Sequence, residues 1–111
     1  MVLSLAACSA SEFKEELPGQ WQAVSWQANG QPDAHATEGT RFVFEETGRY
    51  QYTYSGTTEQ GEWYLSGPEL FTTPDGGTKM MVRIARLEGD TLVFDMNRGG
   101  TAERLTLARA R

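Results

Sequence analysis

Apolar and polar residues alternate in short segments along most of this chain, and glycine-containing turns separate the segments. Such alternation places successive side chains on opposite faces of a β-strand. The first segment, 19–27, begins at the turn residues Pro18 and Gly19. Strand periodicity divides its residues between two faces, with Trp21, Ala23 and Ser25 on one and Val24 and Trp26 on the other. We expect the rest of the sheet to close against this strand.

Seven further segments have the same character, and they predict strands at 40–45, 49–55, 57–65, 69–73, 79–87, 91–97 and 103–108. In one of them Met80, Val82 and Ile84 alternate before Leu87 falls out of phase, which predicts a β-bulge near Ala85. The segments recur at about 8–12 residues and are joined by short turns, without a crossover of helical length. The sequence therefore predicts an all-β fold, a small up-and-down antiparallel β-barrel of about eight strands.

Residues 1–8 resemble the end of a bacterial lipoprotein signal peptide. The sequence Leu-Ala-Ala-Cys at 5–8 matches a lipobox, in which small residues precede the cysteine whose thiol is diacylated. No Lys or Arg precedes the apolar run, and the run is shorter than the ~7–15 residues of a complete signal peptide. Either the true start lies upstream or this is an ordinary apolar terminus. The intact box favours lipidation of Cys8 and an anchor in a bacterial envelope membrane.

Residues 9–16 are polar and connect this segment to the predicted barrel, which we assign to 17–111. Ser9 and Glu12 have the spacing of a capping box, which favours one or two helical turns. Such a helix would carry Phe13 and Leu17 to one end of the barrel. The alternative for so short a piece is a tether of little structure.

Composition excludes several classes of function. A length of 111 residues suits one domain, and a formal net charge of −5 argues against a nucleic-acid partner. The single cysteine excludes an internal disulfide. His35 is the only histidine and has no cysteine near it in sequence, so a zinc site lacks ligands. Neither a nucleophile elbow nor a phosphate-binding glycine loop is present, and we expect neither enzymatic activity nor a cofactor.

Several short motifs, taken in order, resemble the calycin superfamily, and in particular small bacterial lipocalin-like lipoproteins. Leu-Pro-Gly-Gln-Trp at 17–21 resembles the opening Gly-x-Trp motif of that superfamily. The segments 42–44 with 48–50, 61–63, and 90–94 with 105–109 resemble its second hairpin, its fourth strand and its final hairpin. The resemblance implies that Trp21 packs across the closed end of the barrel against Arg109, as a structural contact.

The predicted inward faces carry many large side chains, which favour a barrel filled in its lower half with a shallow cup near one mouth. Tyr50, Tyr52 and Tyr54 share one face, and their hydroxyls need partners that no obvious inward acid or amide supplies. We therefore expect a cup for a small apolar or aromatic ligand, with Tyr50, Tyr52, Tyr54 and Trp63 as candidate binding residues.

Two alternatives remain open at this point. The barrel could be a filled scaffold that binds another envelope protein through its loops, chiefly 28–39 and 73–78, as an assembly factor or inhibitor does. An avidin-like barrel would share the Gly-x-Trp motif, although the polar residues that would fix its ligand are not evident. Cavity volume separates the first alternative from a binding module, since known ligand sites begin at about 300 Å³.

Overall fold

The structure, a computed structural model, describes residues 10–32, 37 and 39–110. Within these ranges one helix, α1 (Ala10–Glu16), precedes nine strands. In chain order the strands are β1 (Gly19–Ala28), β2 (Gln31–Pro32), β3 (Arg41–Phe44), β4 (Arg49–Tyr54), β5 (Thr57–Ser66), β6 (Glu69–Pro74), β7 (Met80–Glu88), β8 (Thr91–Arg98) and β9 (Thr101–Arg109). Cys8 and His35, singled out in the sequence, lie outside the described residues.

The strands form one antiparallel sheet that closes on itself. Its order is β2-β1-β3-β4-β5-β6-β7-β8-β9, and β1 also pairs with β9. β2 is only two residues long and pairs with the end of β1. Eight strands, β1 and β3–β9, therefore make a closed up-and-down barrel, which confirms the predicted fold class. Closure removes the free edges that would otherwise pair with other chains.

The hairpin order defines two ends of the barrel. α1 lies at one end with the turns that join β3 to β4, β5 to β6 and β7 to β8, and we call this the helix end. The opposite end carries the β4–β5, β6–β7 and β8–β9 turns, and we call it the open end. Phe13 and Leu17 are buried in the main core, so α1 packs on the barrel and does not act as a loose tether.

The helix end is filled by apolar side chains. Its fully buried residues include Trp21, Phe44, Leu92 and Leu107, and Leu17 follows α1 into the same cluster. The indole Nε1 of Trp21 donates to the Leu17 carbonyl oxygen at 2.8 Å, which satisfies the buried N–H. Dense packing here leaves the interior of the open end as the place for a cavity.

Two bulges adjust the faces that the strands present. The bulge predicted near Ala85 is confirmed, because the register of β7 against β8 shifts between Ile84 and Arg86. A second shift, between Ala23 and Ser25 of β1 against β9, was not predicted. It leaves Val24 exposed and brings Trp26 into the core. The prediction that Trp26 lies on the face opposite Trp21 is therefore wrong, since a bulge resets the alternation beyond it.

Candidate ligand-binding site

A cavity of about 520 Å³ lies inside the open half of the barrel. Most of its lining is apolar, and three of the lining side chains are methionines. Its aromatic residues are Trp26, Phe42, Tyr50, Tyr52 and Phe94, its other apolar residues Leu70, Met80, Met81, Val82, Met96 and Leu105, and its remaining polar residues Glu59, Thr72 and Asn97. An eight-stranded barrel has room for about one small ligand, and this cavity has that size.

One wall of the cavity is a row of stacked rings that runs from the core towards the open end. Phe42 stacks on Phe44 at 5.4 Å between ring centroids and on Tyr52 at 4.5 Å. Tyr52 in turn stacks on Tyr54 at 6.2 Å, and Trp26 meets Tyr54 edge to face at the same distance. The row arises because alternate residues of β3 and β4 face inward and the two strands pair in register. It offers a flat apolar surface to a ligand.

Tyr50 and Glu59 form the polar part of the cavity. The Tyr50 hydroxyl donates to Glu59 Oε2 at 2.6 Å, and Tyr50 is only 1% exposed. Burial, followed by this hydrogen bond, raises the pKa of the Tyr50 phenol well above its ordinary value. The phenol therefore keeps its proton throughout the physiological range and holds the Glu59 carboxylate in a fixed position.

Gly61 makes the position of Tyr50 possible. The two residues are cross-strand partners of β4 and β5, and the Tyr50 ring lies over the glycine. A Cβ atom at this position would come within 2.7 Å of Tyr50 Cε1 and 2.1 Å of the Thr73 carbonyl oxygen. Glycine is required here for a steric reason, the close approach of a ring and a neighbouring strand.

Methionine side chains lie at the entrance of the cavity. Met80 and Met81 at the start of β7 are 49% and 50% exposed, and they line the cavity together with Met96 of β8. An unbranched thioether side chain changes rotamer at little cost. This part of the wall can therefore adapt to the shape of a bound molecule.

The four predicted ligand-binding residues occupy different places. Tyr50 and Tyr52 line the cavity. Tyr54 is 44% exposed and contacts the site only through its ring contacts with Tyr52 and Trp26. Trp63 lies towards the helix end, where its Nε1 donates to the Glu45 carbonyl oxygen at 2.9 Å, and the structure does not bring it into the cavity. It borders a separate groove of about 310 Å³.

The pair implied by the resemblance, Trp21 and Arg109, is in contact. The guanidinium carbon lies 4.2 Å from the centre of the Trp21 ring. The same guanidinium donates to the carbonyl oxygens of Glu16, Pro18 and Gly89 at 3.0, 3.3 and 3.4 Å. Arg109 thus joins the end of α1, the start of β1 and the β7–β8 turn at the helix end of the barrel.

Glu59 and Trp26 are among the cavity residues that were not predicted from the sequence. Glu59 was detectable, because strand alternation places it on the same face of β5 as Trp63, a predicted binding residue. The prediction that no inward acid accompanies the tyrosines is therefore wrong. Trp26 carried no such signal, since its inward position depends on the bulge in β1. Its Nε1 donates to Glu103 Oε1 at 2.8 Å.

The described part of the chain offers neither a cluster of metal ligands nor a membrane-spanning helix. No group of three or more His, Cys, Asp or Glu residues there is placed to hold a metal ion. No helix in the same ranges is long and apolar enough to cross a membrane.

Comparison with known proteins agrees with the geometry. A lipocalin-like protein from Bacteroides uniformis has a similar structure, with a TM-score of 0.68 and 18% identity over 86% of this chain and 99% of that one. An uncharacterized protein from Bacteroides eggerthii has a TM-score of 0.64 and 14% identity over 84% and 98% of the two chains. At these identities the likeness concerns the fold alone. No protein with a curated description matches the sequence. The model of the lipocalin-like domain family matches residues 17–94, and the chain belongs to that family.

Proposed function

We propose that this barrel is a binding module that holds a small apolar or aromatic molecule in its open half. The cavity carries the argument, since its volume of about 520 Å³ falls within the ~300–1,000 Å³ of known small-molecule sites. Its lining has the composition of such sites, mostly apolar with a few polar groups that converge. Membership of the lipocalin-like family supports the same function.

The alternative, a filled scaffold that binds another envelope protein through its loops, receives less support. A filled barrel would leave no room for a ligand, whereas about 520 Å³ is open here. The binding experiment below distinguishes a protein partner from a small ligand.

We further propose that the protein is tethered to a bacterial envelope membrane through acyl chains on Cys8. The support is the Leu-Ala-Ala-Cys sequence at 5–8, which places small residues beside the cleavage point. Mass spectrometry of the protein isolated from its native cells tests this. We expect an N-terminal peptide that begins with an acylated Cys8, and an unmodified Cys8 still joined to residues 1–7 would contradict the proposal.

Ligand binding is tested with N-phenylnaphthylamine, a neutral fluorophore that brightens in apolar surroundings, followed by competition with a panel of small aromatic compounds. We expect saturable enhancement with one site per chain. A matched pair of variants locates the site. Val82→Phe adds volume to the cavity lining and weakens binding, whereas Val24→Phe adds the same volume to an exposed position and leaves it unchanged.

Circular dichroism of both variants checks that the barrel is intact. Equal affinities in the two variants, or no response to any compound, would overturn the proposed site. A flat response accompanied by capture of an envelope protein on the loops would favour the scaffold function instead.

A further inference from the structure

The cavity contains a carboxylate where a purely apolar ligand would not need one. Among the described residues that line it, Glu59 is the only Asp, Glu, Lys or Arg, while Thr72 and Asn97 are neutral. Covering a carboxylate with an apolar molecule removes its hydration without replacement, which is unfavourable. A ligand that fills this cavity therefore gains by presenting a hydrogen-bond donor or a positive charge to Glu59.

Glu59 is held ready for such a group. Its Oε2 accepts the Tyr50 hydroxyl at 2.6 Å, a short bond of the charge-assisted kind. A carboxylate has about four acceptor positions, so one donor leaves capacity for another. Tyr50 is fixed in turn, because it is buried and packs directly on Gly61. The carboxylate is thus preorganised by a neighbour that keeps its own proton.

The surroundings of Glu59 also suit a cation. Phe42, Tyr52 and Trp26 line the same cavity, and the faces of such rings attract ammonium groups within about 6 Å. The Glu103 carboxylate lies close to these rings, since it accepts a hydrogen bond from the Trp26 indole. The whole chain carries a net charge of −5, which favours the approach of cations over anions.

We propose that the ligand of this cavity is a small organic cation, with an apolar or aromatic body on the stacked rings and a protonated or alkylated amine on Glu59. This inference rests on the proposed binding function and narrows it to one chemical class. It assigns Glu59 as the residue that determines specificity and the aromatic wall as the source of most of the contact area.

Three probes of similar shape and different charge test the inference: phenylpropylammonium, phenylpropanol and phenylpropionate. Binding of each to the full chain is measured by calorimetry at pH 7. We expect the ammonium to bind about 10- to 100-fold more tightly than the alcohol, the range for hydrogen bonds to charged groups. Phenylpropionate should bind more weakly than the alcohol, because it meets a like charge.

Glu59→Gln removes the charge and keeps an oxygen that can accept the Tyr50 hydroxyl. In this variant the preference for the ammonium over the alcohol should disappear. The affinity for the alcohol should stay within about threefold of the wild-type value, because the contribution of a hydrogen bond between neutral groups varies by about that factor between contexts. Glu62→Gln is the matched control, since Glu62 is an exposed acid of the same strand. It should retain the preference.

The outcomes separate the two levels of the proposal. Equal binding of ammonium and alcohol, or a preference that survives Glu59→Gln, would overturn the cation inference and leave the binding function standing. Failure of all three probes, together with a flat response to N-phenylnaphthylamine, would overturn both.

Discussion

Replacing Arg109 by methionine removes the guanidinium from the helix end of the barrel and keeps an unbranched apolar stem of similar length. The guanidinium lies 4.2 Å from the centre of the Trp21 ring and donates to carbonyl oxygens of Glu16, Pro18 and Gly89. These contacts join parts of the chain up to 93 positions apart. The substitution therefore tests whether one side chain at the end of β9 stabilises the whole closure.

The magnitude follows from the kinds of contact and their lengths. A cation–π contact contributes about 0.5–2 kcal/mol, with higher values for desolvated pairs. The bond to the Glu16 oxygen at 3.0 Å has good length, while those of 3.3 and 3.4 Å are long and count for little. One hydrogen bond from a charged donor adds about 1.5 kcal/mol. We expect Arg109→Met to lower the free energy of unfolding by about 2–3 kcal/mol, and Tm by roughly 8–12 °C for a domain of this size.

Urea denaturation followed by circular dichroism and tryptophan fluorescence measures this change. Arg86→Met is the control, because Arg86 pairs with Glu88 at 2.8 Å but both side chains are more than 60% exposed. Such a surface pair contributes about 0–1 kcal/mol. If Arg109→Met costs no more than this control, the inference that Arg109 stabilises the helix end of the barrel is refuted.

Three further perturbations have expected outcomes. Gly61→Ala should destabilise the fold by at least about 2 kcal/mol in urea, because the new Cβ would lie 2.1 Å from the Thr73 carbonyl oxygen; stability equal to wild type would contradict that packing. Tyr50→Phe should lessen the loss of stability above pH ~10, where tyrosines of the unfolded chain ionise while burial and Glu59 keep Tyr50 protonated; unchanged urea curves at high pH would argue otherwise. Leu107→Ala should cost about 2–5 kcal/mol, as Leu107 is completely buried, and a smaller loss would mean that the core collapses around the gap.

Much of the architecture was predictable because it depends on local sequence patterns. Alternation along each strand and glycine in each turn depend on neighbours in sequence, so the strand order and hairpin connections followed directly. Asn29-Gly30 carried the same kind of signal, since both residues adopt the positive φ that a two-residue turn requires, but 28–39 was interpreted as a loop and β2 was not predicted. Ser55-Gly56 adopts the same pair of signs, although serine gives a weaker signal.

The candidate site was predictable only in part. Tyr50 and Tyr52 line the cavity, as the alternation along β4 indicated. Trp63 also faces inward, on β5, but it lies nearer the helix end and outside the cavity. Alternation along a strand shows which face of the sheet a residue occupies, but it does not show how far along the barrel axis the residue lies. Glu59 also faces inward on β5, and it was overlooked because a charged residue is more often found on the solvent face of a strand.

The sequence by itself determined the all-β class, the succession of strands and the bulge in β7, because each depends on residues a few positions apart. Only the tertiary structure decided that Trp26 faces inward and that an open cavity containing Glu59 remains at one end. These features depend on the register of β1 against β9, strands at opposite ends of the chain. They also depend on how completely side chains from all the strands fill a common interior. Register and filling both depend on contacts between residues far apart in the sequence, so no local pattern predicts them.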